Sequence, residues 1–164
     1  MRPSIARLTL AVAACALTLV ALDLTFLGYV AADFYARTLG PLRATEVVVP
    51  AAVLFYLLYL GAVMVHAVVP STSWKQAARR GAGLGLVAYG TWDLTNWAVI
   101  AGFPAALVPV DLSWGVFLTT TVSAVGNAVY RAAGPPASAP DAGRQSPRLD
   151  PEDHHLGRHP ETHR

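Results

Sequence analysis

Four stretches of this chain are almost free of charge. Leu8 to Val30 contains only Asp23, Val47 to Val69 contains no Asp, Glu, Lys or Arg, Gly81 to Phe103 contains only Asp93, and Ala105 to Tyr130 contains only Asp111. Each exceeds the roughly 20 residues that a helix rising about 1.5 Å per residue needs to cross about 30 Å of hydrocarbon. The pattern predicts an all-α, polytopic membrane protein: a bundle of four transmembrane helices over residues 8–30, 47–69, 81–103 and 105–130. Residues 1–130 form one membrane domain in this reading. Residues 131–164, rich in Pro, charge and small side chains, cannot bury a core and are expected to form a disordered polar tail.

Composition agrees, since 54% hydrophobic and 13% charged residues are too apolar for an ordinary soluble domain. The partners expected are the lipid bilayer and, as an open option, further copies of the chain, and not nucleic acid. Arg2 and Arg7 ahead of an apolar run, with "VAAC" at Val12 to Cys15, resemble a lipoprotein signal. The apolar part before Cys15 is short, however, and the hydrophobic pattern continues past it, so the run is expected to remain as the first span. Cys15 is the single cysteine, which rules out an intrachain disulfide.

Flanking charge sets the expected orientation. Arg2, Arg7, Lys75, Arg79, Arg80 and Arg131 fall on one side of a four-span topology. Arg37 and Arg43 on the other side are offset by Asp33 and Glu46. The positive-inside rule therefore puts both termini in the cytoplasm. The first loop, "ADFYARTLGP", pairs Asp33 with Arg37 at i, i+4 and stops at Gly40 and Pro41, so a helical continuation or a short interfacial helix is expected there, with Phe34 and Tyr35 at the membrane interface.

Several motifs carry little chemistry. His154, His155, His159 and His163 cluster in the tail, where ligands for a metal are poorly organised. His66 lies near the end of the second span and reads as an interfacial histidine. "GAGLGLVAYG" has Leu86 where the third glycine of a dinucleotide fingerprint belongs, and no strand precedes it. Gly81 and Gly85 instead make a small-xxx-small pair suited to close helix packing, within the chain or between copies.

The three acids are the features that need explanation. Asp23 stands seven residues before Val30, Asp93 seven before Ile100, and Asp111 six after Ala105. At about 1.5 Å per residue, all three lie roughly 9–11 Å below the outer boundary. Ionised and separately facing lipid, they would cost roughly 7–10 kcal/mol together. They are expected to face one another or a wet cavity. Tyr89, Asp93, Asn96 and Trp97 form a polar and aromatic stripe on the third span, Asp111, Trp114 and Gly115 a similar one on the fourth, and Tyr56 and Tyr59 sit deeper as a floor.

No Lys or Arg lies within a span, so the charge must be balanced by a shared proton, hydrogen-bond donors, water, a cation, or an arginine entering from outside. Three readings follow. Asp23, Asp93, Asp111, Asn96, Tyr89, Tyr56, Tyr59 and Trp114 form a site that binds or moves a proton, cation or small substrate. Alternatively, the carboxylates do acid and base work, or ligate a metal, in a membrane enzyme acting on a lipid-like substrate. In the third reading they are structural, with Arg37 or Arg43 dipping in to pair with an acid. The absence of intramembrane His or Cys at metal-ligand spacing favours binding over enzymatic chemistry, and no cofactor is named by the sequence.

The segments "LDLTFLGYVAADFYARTLG", "FYLLY", "AYGTWDLTNWAVIAGFP" and "VDLSWG" together resemble the bacterial membrane-protein family known as domain of unknown function 2177, from about Ala21 to Tyr130. Phe26 stands where the family often has Trp, and Trp92 where it frequently has Tyr. The resemblance implies a compact four-helix protein of the bacterial cytoplasmic membrane, with the motif acids at Asp23, Asp93 and Asp111. It implies no activity.

Overall fold

The computed structural model describes residues 4–134, and these are helical apart from short connections. The residues of the tail beyond Gly134, including its four histidines, and Arg2 lie outside the described residues. Helix α1 runs from Ile5 to Thr25 and passes into a π-helical turn, Phe26–Val30. A short helix α2, Ala32–Leu39, follows and ends at Gly40, whose φ of 50° suits a residue without Cβ. Helix α3 (Val49–Val63) also ends in a π-helical turn, Met64–Val68. Helices α4 (Trp74–Val99) and α5 (Leu107–Ala132) complete the bundle.

Local signals explain the boundaries. Ser4 caps α1 by accepting from the Arg7 amide at 3.3 Å, and Ser73 caps α4 by accepting from the Gln76 amide at 3.2 Å. Gln76 reaches back to accept from the Thr72 amide, close to the pattern of a capping box. That cap starts α4 seven residues ahead of the charge-free run at Gly81, so Lys75, Arg79 and Arg80 are helical. Charge ends a hydrophobic run without ending a helix.

Among the described residues, three helical stretches are long and apolar enough to cross a membrane: Ile5–Val30, Val49–Val68 and Leu107–Ala132. Helix α4 has the length, at 26 residues, but glycines, threonines, Asp93 and Asn96 lower its hydropathy. Its partner compensates. Helices α4 and α5 pack closely, because Gly81 and Gly85 leave room for the α5 backbone: a Cβ on either would overlap Thr119, Ser123 or Gly115. Both glycines are thus used inside the chain, and the Tyr89 ring similarly fills the space over Gly115.

Helix α1 lies on the other side of α5, burying Ala11, Cys15, Leu19 and Asp23, one stripe at intervals of four. Cys15 sits against Met64, Val122 and Gly126. At the end bearing both termini, Arg7 donates to the Tyr130 carbonyl and lies over the Tyr130 ring at 3.7 Å. His66 is exposed there, and its carbonyl accepts from Arg80.

Helix α3 is attached unevenly. Its π-helical turn packs on α4 and α5, where Asn127 donates to the carbonyls of Val68 and Ser71 at 2.8 and 2.9 Å. Its other half stands away from the bundle, leaving Val53, Leu54, Leu57 and Leu58 exposed. A wedge-shaped gap opens at the α2 end.

Candidate functional site

The buried stripes of three helices each end on an acid at that same end. Helix α1 carries its stripe to Asp23, α4 carries Ala77, Gly81 and Gly85, with the half-buried Tyr89, to Asp93, and α5 begins its buried face with Leu107, Val108 and Asp111. All three carboxylates are buried, with 4, 0 and 6% of Asp23, Asp93 and Asp111 exposed.

A cavity of about 500 Å³ fills the gap left by α3. Asp23 and Asp111 both line it, with Tyr56 and Tyr59 from α3, Tyr89 from α4 and Trp114 from α5. Asp23 is held on both oxygens: Trp114 Nε1 donates to Oδ1 and the Tyr56 hydroxyl to Oδ2, each at 3.1 Å. The Tyr35 hydroxyl donates to Asp111 Oδ1. Asp111 Oδ2 has no hydrogen-bond partner among the described residues. Tyr59 shares a hydrogen bond with Thr119 and meets the Tyr89 ring edge-on at 6.4 Å, forming the deeper part of the wall.

Asp93 and Asn96 stand apart from the cavity lining. Asp93 follows Gly85 and Tyr89 along the face packed on α5, and both its carboxylate oxygens are buried without a partner. The register of that helix pair, Gly85 and Tyr89 over Gly115, carries Asp93 outward toward the level of Asp111. Asn96 is half-buried one turn further on.

Sequence reasoning missed Tyr35, Leu27, Ala52, Phe55, Ala88 and Trp92, which also line the cavity. For Tyr35 a signal existed. Helix α2 is amphipathic, and its apolar residues Phe34, Tyr35 and Leu39 pack against Phe103, Leu107 and Val108. The π-helical turn before α2 redirects the chain across the cavity, where Phe26 stacks on Trp114 with centroids 3.9 Å apart and meets Tyr35 edge-on.

The electrostatics are one-sided. Among the described residues no Lys or Arg approaches the three acids, and Arg37 and Arg43 are exposed. Neutral donors therefore stabilise Asp23 and Asp111 without cancelling their charge. No group of three or more His, Cys, Asp or Glu among the described residues is arranged to hold a metal ion. The arrangement suits recognition of positive charge by carboxylate and aromatic faces.

No curated protein and no solved structure matches the chain. A family model described as "Predicted membrane protein (DUF2177)" matches residues 8–128, all but the outermost turns of the helical bundle, and the chain belongs to that family.

Proposed function

We propose that this protein binds a cation or a protonated small substrate in the cavity between Asp23 and Asp111. One observation carries the reading: two buried carboxylates line one aromatic chamber and are held only by neutral donors. A carboxylate kept dry without a basic partner is costly at membrane depth, and a bound cation or shared proton offsets that cost. Asp93 is buried on α4 one turn from the wall residue Tyr89, and Asn96 lies one turn further on, both outside the cavity lining.

The chamber is proposed to lie in the outer half of a bacterial cytoplasmic membrane crossed four times, with both termini inside. Helix α4 spans about 39 Å at about 1.5 Å per residue, and its antiparallel packing on α5 supports its crossing as the fourth span. Arg7, Lys75, Arg79, Arg80 and Arg131 all belong to the end that bears the termini, as the positive-inside rule requires of the cytoplasmic side.

Infrared difference spectroscopy on the full chain in lipid tests the reading. A carboxyl band that shifts with pH or added organic cation in the wild type should be lost in Asp23→Asn and Asp111→Asn, while both variants insert normally. Spectra identical in all three proteins would refute it. A purely structural role would instead leave the Asn variants equally or more stable, with no response lost.

A further inference from the structure

We infer that the chamber takes a lipophilic organic cation, such as a substituted ammonium or phosphonium, and that this cation reaches it from the hydrocarbon of the bilayer. The inference rests on the cation-binding reading above and adds the ligand's class and route. A small inorganic ion needs several oxygen ligands close around it. Here both Asp23 oxygens and one Asp111 oxygen already accept hydrogen bonds from Trp114, Tyr56 and Tyr35, so that of the chamber's four carboxylate oxygens only Asp111 Oδ2 has no hydrogen bond among the described residues. Most of the remaining wall is aromatic or aliphatic. Aromatic faces attract a diffuse organic cation most strongly when it is desolvated. The volume of about 500 Å³ also lies within the range for small organic ligands, roughly 300–1,000 Å³, and is far larger than a bare ion requires.

The rim gives the route. Leu27, Phe55 and Trp92 line the cavity yet are 45, 45 and 52% exposed, so they mark where it opens. None is charged, and they come from the π-helical turn after α1, from α3 and from α4, beside the exposed apolar face of α3. That mouth gives onto acyl chains. The uneven attachment of α3 creates it, because this helix is held at its π-helical end and free at the other. A ligand that partitions into the bilayer reaches the rim without crossing the α2 cap. Charge then retains it at Asp111, whose Oδ2 accepts no hydrogen bond among the described residues.

The test uses the full chain in lipid nanodiscs, in a Trp74→Phe, Trp97→Phe background that leaves Trp92 and Trp114 as reporters inside the cavity. Fluorescence is titrated with tetraphenylphosphonium, with tetramethylammonium, and with neutral triphenylphosphine oxide as a partitioning control. Tetraphenylphosphonium should give a saturable change at a concentration at least about tenfold below that for tetramethylammonium, and the phosphine oxide should give none. Asp111→Asn should weaken the phosphonium by about tenfold or more. Ala52→Leu, a wall position on the loosely packed half of α3, should weaken the phosphonium more than tetramethylammonium through lost volume. If tetramethylammonium binds as tightly as the phosphonium and depends on Asp111, the lipophilic class is wrong and the cation reading stands. If the phosphine oxide binds equally well and Asp111→Asn changes nothing, charge is not being read and both fall. Absence of any saturable signal overturns this inference, and the infrared band then decides the cation reading separately.

Discussion

Gly85→Ala is expected to push α4 and α5 apart. A Cβ at this position would overlap the Gly115 carbonyl and the Thr119 hydroxyl, and the first obstacle is backbone that no rotamer change can move. Gly83, two residues away on the same helix, is exposed and has nothing within 4 Å of its Cβ position. The pair forms an internal control. Both substitutions gain the same helix propensity, about 1 kcal/mol in soluble helices, and the same restriction of the unfolded chain. Those gains cancel in the comparison, leaving the overpacking at Gly85, about 1–3 kcal/mol. Gly85→Ala should therefore be less stable than Gly83→Ala by about that amount. Reversible unfolding of both full-length variants in the same bicelles measures the difference. The loss should also reach the cavity, since Tyr89 lies one turn from Gly85 and rests on Gly115. Equal stability of the two variants, or a more stable Gly85→Ala, would refute the close-packed α4–α5 seam.

Asn127→Ala removes both donors that tie the end of α3 to α5, and should lower stability by about 1–3 kcal/mol in the same unfolding assay; an unchanged midpoint would mean the turn holds without them. Trp114→Phe keeps an aromatic ring against Phe26 but removes a donor to Asp23, so it should destabilise by about 1.5–3 kcal/mol, and Asp23→Asn should recover most of that loss in a double-mutant cycle. A cycle with no coupling would show that the bond contributes nothing. Cysteines at Thr38 and Thr72, in a Cys15→Ala background, should react with an impermeant maleimide from opposite sides of intact cells. Same-sided labelling would sink the proposed topology and the depth assigned to the chamber.

The helices were legible because their signal is one-dimensional. A charge-free run of sufficient length is visible in the sequence, and the largest displacement was at the start of α4, since Ser73 and Gln76 cap a helix whose first turns are basic. The cavity was partly legible for the same reason: counting residues from helix ends brought Asp23 and Asp111 to one level, with Tyr56, Tyr59, Tyr89 and Trp114 near them. Asp93 shows where counting stops. Its depth follows from sequence, but its direction depends on how α4 is rotated against α5, which Gly81, Gly85 and Gly115 decide through contacts 26 or more residues apart. The π-helical turns at Phe26–Val30 and Met64–Val68 left no readable signal either, and the first of them sets where Tyr35 falls. A small change of winding there relocates every side chain beyond it.

The hydrogen bonds on Asp23 also impose an order on the making of this protein. Its two donors follow it by 33 and 91 residues, Tyr56 on α3 and Trp114 on the last helix. At a synthesis rate of about 5–20 residues per second, Trp114 leaves the ribosome roughly 5–20 s after Asp23. During that interval α1 offers the bilayer an incompletely satisfied carboxyl, a burden of about 2.5–3.5 kcal/mol near a helix centre. The bundle is thus closed by the helix made last, because α1 packs on α5 more extensively than on α3. A nascent chain halted before Leu107 has only the α3 side, Met64 and Tyr56, to cover the buried stripe of α1 and no Trp114 for Asp23, so most of that stripe stays open until α5 arrives.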